Sequence, residues 1–385
     1  MSLDEEKMTA PIMSVAADTG RSKEQVDEHS LIQADAKSND DFLLDDLQEY
    51  FQRMSDPNYL HTVSLTELYD TTYRPKTQII EGFLCSGVYL FAGAPKVGKS
   101  FFVAQLGYHV SSGLPLWEYP ISKGAVLYLA LEDDYARLQK RLSRMFGMDG
   151  DNNYFFAVHA KNLREGLDGQ LNAFVRAHPD TKLIVIDTLQ RIREVGGEKF
   201  SYGSDYEIVA QLKKFADLHN ICILVVHHTR KQGADDSFDT ISGTNGLLGA
   251  ADGAFIMQKE KRTDNKATLD VVGRDQQDQR LHLQFDRQRC IWLLTETETE
   301  LWKEPPNPLL EGIASLLTAE SPSWMGSATE LLDRLDGMDI QPNVLTRKLN
   351  VNADRLWNEY GIRIETSRTH AGRIVKLTLE EPTRA

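Results

Sequence analysis

The sequence predicts an α/β fold in which a mostly parallel β-sheet is wrapped by helices. Five short apolar runs between Gly87 and about Leu294 predict strands that are buried on both faces. Helical stretches at 99–112, 134–146 and 205–219 lie between several of these runs, and this alternation is typical of parallel βαβ units. The predicted strands are GVYLFAG (87–93), AVLYLAL (125–131), KLIVIDT (182–188), ICILVVHH (221–228) and GAFIMQ (253–258).

Two further segments, ATLDVVGRD and RLHLQFD, predict an antiparallel hairpin at the edge of this sheet. The proline-rich stretch EPPNP (304–308) then interrupts the pattern. We therefore expect one α/β domain over residues 54–303 and a smaller domain over 304–385. Helices followed by a two-stranded ribbon make the smaller domain winged-helix-like. Its predicted helices are 309–318, 326–335, 341–349 and 352–359, and its predicted strands are 361–367 and 373–379.

Residues 1–53 form an acidic tail. The first 50 residues hold 13 acidic and 4 basic residues, so −9 of the net charge of −14 lies there. Residues 1–40 lack apolar periodicity, and we expect them to be disordered. Apolar residues at helical spacing in 41–53 predict a short helix, either a docking helix or a first core helix. The acidity serves either solubility or the binding of a partner.

Composition limits the classes of function. The acidic balance argues against a chain that coats nucleic acid nonspecifically, but it is compatible with a local basic channel. No long apolar run and no signal-peptide pattern is present, so we expect a cytoplasmic protein without a membrane segment. The scattered residues Cys85, Cys222 and Cys290 form no CxxC pair, and we expect them to be reduced core thiols.

The first predicted strand runs directly into GAPKVGKS and then into a helix. This is the GxxxxGK[ST] pattern, whose glycines let backbone N–H groups wrap the phosphates of a nucleotide at a helix N-terminus. It predicts a site for ATP with Mg²⁺, in which Lys99 reaches the β- and γ-phosphates and Ser100 ligates the metal. The residues expected to bind the nucleotide are Gly93, Ala94, Pro95, Lys96, Val97, Gly98, Lys99, Ser100 and Phe101.

Polar residues follow three other predicted strands, and parallel strands end at a common edge. Asp187 ends the third strand and is expected to hold Mg²⁺ or its water. Glu132 follows the second strand and is the candidate for activating the attacking water, although EDD could instead cap the next helix, a role that better suits Asp133 or Asp134. His228, one of two histidines ending the fourth strand, is expected to sense the γ-phosphate.

The ordered set GAPKVGKS, YLALEDD, LIVIDTLQRI, ILVVHHTRK, SGTNGLLGAADG and VVGRD closely resembles the RepA-like branch of the RecA/DnaB-type hexameric ATPases, over about residues 70–290. The resemblance implies a RecA-like core, catalysis by Glu132, a Walker B role for Asp187 and a sensor role for His228. It also implies that Arg274 acts as an arginine finger on a neighbouring subunit's nucleotide, in an oligomer that is typically a ring. Val272 departs from the lysine that DnaB-like members carry there, which puts tight coupling between subunits in doubt.

The loop through which RecA-like rings contact DNA carries both basic and acidic residues in this sequence, so it does not decide whether the protein binds DNA there. Arg230 and Lys231 suit phosphates, but the loop 231–244 also carries Asp235, Asp236 and Asp239. In the C-terminal domain, basic residues cluster on one predicted helix and around the ribbon, where they serve either DNA or protein contacts. These residues are Arg347, Lys348, Arg363, Arg368 and Arg373.

Two functions are expected from these features. The first is an ATP-driven motor, helicase or loader on single-stranded DNA, which works as an oligomer in the replication of a mobile element and uses its C-terminal domain on duplex DNA. The alternative is a non-motor, DNA-binding regulator that uses ATP to switch its oligomeric state. A small-molecule kinase would need a lid and an acceptor site, and neither is visible in the sequence.

Overall fold

A computed structural model describes residues 58–193, 202–228, 245–259, 261, 263–274, 276–298, 305–335, 338, 340–369 and 372–380. The acidic tail, the predicted helix at 41–53 and the loop 231–244 lie outside the described residues. The described chain begins with helix α1 (Leu65–Asp70) and a two-stranded sheet of β1 (Gln78–Ile80) and β2 (Leu84–Cys85).

A nine-stranded sheet forms the centre of the molecule. Its strands are β3 (Gly87–Gly93), β4 (Ala125–Ala130), β5 (Tyr154–Ala157), β6 (Thr181–Asp187), β7 (Cys222–His228), β8 (Gly253–Gln258), β9 (Lys266–Gly273), β10 (Gln276–Asp286) and β11 (Ile291–Thr297). Their spatial order is β11-β10-β9-β8-β3-β7-β6-β4-β5. The six strands from β8 to β5 in this order are parallel, and β9 to β11 continue the sheet antiparallel.

Helices follow most of the parallel strands, as the alternating pattern predicts. They are α2 (Lys99–Ser112), α3 (Tyr135–Phe146), α4 (Leu167–Ala177), α5 (Leu189–Ile192), α6 (Tyr202–His219) and α7 (Asn245–Ala250). Successive residues of β3 enter opposite cores: Tyr89 and Phe91 pack on one face, and Val88 and Leu90 pack on the other. Because both faces of the central strands are buried, their sequences are continuous apolar runs.

The α/β prediction is confirmed, and the five predicted parallel strands match β3, β4, β6, β7 and β8 to within one residue at each end. The predicted hairpin is the antiparallel pair β9–β10. Strands β5 and β11, at the two edges of the sheet, were not predicted. The three cysteines are buried and free, as expected. No helix among the described residues has the length and apolar character needed to cross a bilayer.

The C-terminal region folds around a separate small core. Its elements are α8 (Pro308–Ser315), β12 (Ser323–Ser327), α9 (Ala328–Leu332), α10 (Pro342–Val351), α11 (Ala353–Tyr360), β13 (Ile362–Thr369) and β14 (Gly372–Leu379). The three strands form an antiparallel sheet in the order β12-β14-β13, so the predicted ribbon is present and gains a third strand. The buried residues of this core all lie between Leu309 and Leu377.

Candidate active site

The loop after β3 carries the phosphate-binding pattern into helix α2. Lys99 begins α2, and Gly98 before it has φ +112, a left-handed conformation that favours glycine. A Cβ atom at Gly98 would lie 2.7 Å from Cζ2 of Trp292, whose indole Nε1 donates to the Gly98 carbonyl oxygen at 3.3 Å. Trp292 therefore supports this loop from behind, a role that the sequence did not reveal.

The Lys99 ammonium group lies beneath the loop, and the residue is only 4% exposed. It donates to the carbonyl oxygens of Gly93 at 2.6 Å and Ala94 at 3.1 Å, and it lies 3.1 Å from Nδ1 of His228. Burial lowers the pKa of Lys99 to about 8, while the nearby carboxylates of Asp187 and Glu132 act to raise it. The site thus holds a positive charge at the point where the loop would wrap phosphates.

The candidate metal-binding side chains meet at the end of β6. The Ser100 hydroxyl donates to Oδ2 of Asp187 at 2.9 Å, and the Tyr128 hydroxyl donates to the same oxygen at 2.9 Å. Burial raises the pKa of Asp187, and these two hydrogen bonds act to lower it. One hydroxyl and one carboxylate fit the hard oxygen ligands that Mg²⁺ prefers beside substrate phosphates.

Glu132 lies at the same edge of the sheet, two residues after the end of β4. Its carboxylate accepts from the Thr188 hydroxyl at 3.1 Å and lies 3.8 Å from the Arg191 guanidinium group. Nε2 of His228 lies 3.9 Å away, so His228 stands between Lys99 and Glu132. The Glu132 side chain is 44% exposed, which leaves it open to an attacking water.

The neighbouring acids have other partners. Asp134 caps helix α3 by accepting from the Arg137 backbone N–H at 2.8 Å, so one of the two predicted capping residues does act as the cap. Asp133 pairs with Arg141 at 2.8 Å and with Arg137 at 3.3 Å. Both arginines line a small pocket that also includes Ser100, Glu132 and Asp187. Neither arginine was predicted as a site residue from the sequence.

Not every candidate residue lies in the pocket. The loop residues Ala94, Pro95 and Lys96 are exposed, whereas Val97 is buried in the core. The Phe101 ring packs on Phe285, with centroids 5.4 Å apart, beneath the Arg141 guanidinium group at 5.3 Å. The Phe101 side chain therefore contributes packing behind the loop.

Arg274 lies at the opposite end of the sheet. Its side chain is exposed and donates to the Gly249 carbonyl oxygen at 2.7 Å. Gly273 pairs with Gly253, which pairs with Tyr89, four residues before Gly93 on β3. At about 3.3 Å per residue, this register separates Gly273 from the start of its own phosphate loop by about 13 Å along the strand, and Arg274 lies one residue farther away. Arg274 is thus remote from the nucleotide site of its own chain.

Comparisons with known proteins agree with the phosphate site. Residues 55–234 match a family model described as an AAA domain. The chain is 25% identical over 197 residues to the DNA repair protein RadA of Streptococcus pneumoniae, covering 49% of this chain and 41% of that one. It is 30% identical over 156 residues to RadA of Listeria monocytogenes, covering 40% of this chain and 30% of the other. The chain therefore spans less than half the length of these relatives.

Two solved structures also superimpose on the chain. One is an ATPase domain, with a TM-score of 0.47, 15% identity, and coverage of 67% of this chain and 100% of that domain. The other is a DnaB-like replicative helicase, with a TM-score of 0.49, 14% identity, and coverage of 65% and 71%. The range that is similar to AAA domains, residues 55–234, contains the phosphate loop and the residues that meet beside it, Glu132, Asp187 and His228.

Proposed function

We propose that this chain binds Mg-ATP and hydrolyses it as an oligomeric, RecA/RepA-like motor or helicase-like protein acting on DNA in the replication of a mobile element. The observation that carries the ATPase part is the convergence of Lys99, Ser100, Asp187, Glu132 and His228 at one edge of the sheet. The action on DNA is supported by the similarity to two bacterial RadA proteins named for DNA repair.

Each of these site residues has a separate role in the proposed phosphoryl transfer. In this proposal the loop from Gly93 to Ser100 and the Lys99 ammonium group bind the phosphates, and Ser100 and Asp187 hold the metal. Bound Mg²⁺ supplies neutralisation of charge on the phosphate oxygens. Glu132 orients the attacking water and accepts its proton, since its carboxylate is half-exposed and is held by Thr188. His228, between Lys99 and Glu132, senses the γ-phosphate.

Arg274 supplies the remaining positive charge in trans. Its separation from its own phosphate loop suits a residue that serves a neighbouring subunit, as an arginine finger does. A ring is the assembly that lets each subunit both give and receive such a residue. Hydrolysis should then depend steeply on protein concentration.

We also propose that residues 54–303 form the ATPase domain and residues 304–385 a winged-helix-like domain. The separate core between Leu309 and Leu377 supports this division. The order of helix, strand, three helices and ribbon around that core suits a winged helix. Such a domain would let the protein engage duplex DNA through α10 and the β13–β14 ribbon.

Phosphate release measured over a protein concentration series, with and without single-stranded DNA, tests this function. The motor account predicts a rate that rises steeply on assembly and is stimulated by DNA. Mixing Glu132→Gln chains with Arg274→Ala chains should restore turnover, because an interface between the two can combine an intact Glu132 with an intact Arg274. If mixing restores nothing, the finger in trans is wrong.

A non-motor switch is the second candidate, and Val272 favours it, because the lysine of the DnaB-like members is missing there. This candidate predicts slow ATP turnover that is not stimulated by single-stranded DNA. It also predicts tight binding to duplex DNA, with an affinity that changes when ATP is bound. A rate of ATP turnover that depends neither on DNA nor on protein concentration would exclude the motor.

A further inference from the structure

A carboxylate lies between two arginines that come from different elements of the C-terminal region. Oδ1 of Asp70 lies 2.9 Å from Nε of Arg347 on α10 and 3.1 Å from Nη1 of Arg373 on β14. The Arg373 hydrogen bond and the neighbouring Arg347 hold the pKa of Asp70 below its usual range, against the opposing effect of burial. Two guanidinium groups that converge on one anionic oxygen form an anion-binding site.

Asp70 belongs to a short cover segment, which we define as residues Ser64–Thr72 and which contains α1. Polar contacts hold this segment on α10 and the ribbon. Asn350 donates to the Tyr69 carbonyl oxygen at 3.0 Å, and the Thr72 hydroxyl donates to the Asn350 side-chain oxygen at 2.7 Å. The Thr72 hydroxyl also lies 2.9 Å from that of Thr366 on β13. Both Asn350 and Thr366 therefore face the cover segment.

The cover segment contributes little to any apolar core. None of the six residues of α1 is buried, and Leu65 is 63% exposed. A helix that is attached through a few hydrogen bonds and ion pairs, with no buried apolar side chain, opens at a low free-energy cost. The site beneath it can therefore become accessible while the core around Leu345 and Leu349 stays folded.

From this geometry we propose that Arg347 and Arg373 form a binding site for a phosphodiester group of DNA, and that the Asp70 carboxylate occupies this site until DNA displaces the cover segment. A carboxylate and a phosphate present similar oxygen pairs to a guanidinium group, so Asp70 mimics the ligand. Asn350 and Thr366 supply additional hydrogen-bonding groups to the same surface. The inference rests on the proposed action on DNA.

Equilibrium binding of the full chain to a fluorescent single-stranded oligonucleotide and to its duplex tests the site. Asp70→Asn removes the competing charge, and we expect binding of both forms to tighten about fivefold or more, with a steeper salt dependence. The matched control is Glu365→Gln, which removes a carboxylate paired with Lys376 on the same ribbon. The control should change affinity by less than about twofold. Adding Arg347→Gln to Asp70→Asn should abolish the gain.

A second measurement keeps the test informative if Asp70→Asn unfolds. Amide hydrogen exchange on the wild-type chain should become faster in residues 65–70 when saturating DNA is added. Unchanged or slower exchange in this segment would overturn the displacement. An Asp70→Asn chain that remains folded but binds DNA no better than Glu365→Gln would show that Asp70 is only a structural bridge.

These outcomes separate the inference from the proposed function. If the wild-type chain binds DNA but Asp70→Asn behaves like the control, only the inference fails. If no variant binds either form of DNA, the action on DNA fails, and the inference fails with it. Phosphate release without DNA remains an independent measure of the ATPase in both cases.

Discussion

The Tyr128 hydroxyl donates to Oδ2 of Asp187 at 2.9 Å, inside the sheet and on the oxygen that also accepts from Ser100. Tyr128 is fully buried, and burial raises its pKa, so the phenol stays protonated and donates. This bond joins neighbouring strands β4 and β6 and fixes the orientation of the candidate metal-binding carboxylate. Tyr128 is therefore a positioning residue for Asp187.

Replacing Tyr128 with phenylalanine should weaken the binding of Mg²⁺ at Asp187. A hydrogen bond to a charged group contributes about 1 kcal/mol or more, so the Mg²⁺ concentration for half-maximal turnover should rise about fivefold. Steady-state turnover in a magnesium titration measures this change. Tyr154→Phe is the matched control, because Tyr154 is also a buried tyrosine but donates to the Ala104 carbonyl oxygen. Equal magnesium dependence in the two variants would refute the positioning role.

Glu132→Gln should lower the maximal rate of ATP hydrolysis by at least about a hundredfold and leave Mg-ATP affinity nearly unchanged. The amide can still accept from Thr188, but it cannot take a proton from water. Single-turnover hydrolysis and calorimetric binding of ATP measure the two quantities. Asp134→Asn, at the nearby helix cap, should keep the wild-type rate. A Glu132→Gln rate close to the wild type would remove Glu132 from the chemistry.

Gly98→Ala should weaken nucleotide binding and destabilise the fold. The new methyl group would meet the buried Trp292 ring, and the left-handed backbone adds strain of about 1 kcal/mol or more. Calorimetric ATP binding and chemical denaturation measure the two effects. Gly169→Ala is the control, since among the described residues no atom outside the backbone of its own helix turn lies within 4 Å of the added Cβ, and it should be neutral or slightly stabilising. Wild-type affinity in Gly98→Ala would show that Trp292 does not constrain the loop.

Protonation of His227, the neighbour of the candidate sensor His228, should destabilise the folded protein in acid. Burial lowers its pKa from 6.5 to about 4, so between these values the unfolded chain binds a proton that the folded chain does not. The free energy of unfolding should therefore be unaffected by His227 above about pH 6.5 and should fall as the pH drops towards 4, by about 3 kcal/mol.

Urea unfolding at several pH values measures this effect. His227→Gln, which cannot be protonated, should lose less stability between pH 6.5 and 4 than the wild type does. The control His159→Gln replaces an exposed histidine and should follow the wild-type curve. An unchanged slope in His227→Gln would mean that His227 is accessible to protons in the folded chain.

The central strands were predictable because burial on both faces forces a continuous apolar sequence. Edge strands lack this signal: only the first residue of β5 is buried, and β11 is buried only at Ile291 and Trp292. Strand β12 is short, contains Gly326 and has no buried residue, so its sequence does not alternate. Residues of β12 adopt a strand because they pair with β14, which lies far away in the sequence.

The main site residues were predictable for a related reason, since parallel strands end at a common edge. Lys99, Asp187, Glu132 and His228 could be assigned to that edge from strand order alone. Trp292 could not, because its contact with Gly98 joins residues 194 positions apart. The sequence gives one indication of Tyr128, because it is the only residue with a polar side-chain group in the apolar run AVLYLA. Its hydrogen-bond partner, however, is defined only by the pairing of β4 with β6.

The most direct test of the account is the binding and hydrolysis of ATP by Lys99→Ala beside the wild type and Lys140→Ala. Lys140 is an exposed lysine on α3 and controls for the loss of one positive charge. Magnesium-dependent phosphate release by the wild type and by Lys140→Ala, with at least about a hundredfold loss in Lys99→Ala, is the predicted result. Equal rates in the wild type and Lys99→Ala, or no magnesium-dependent release by the wild type, would contradict the account.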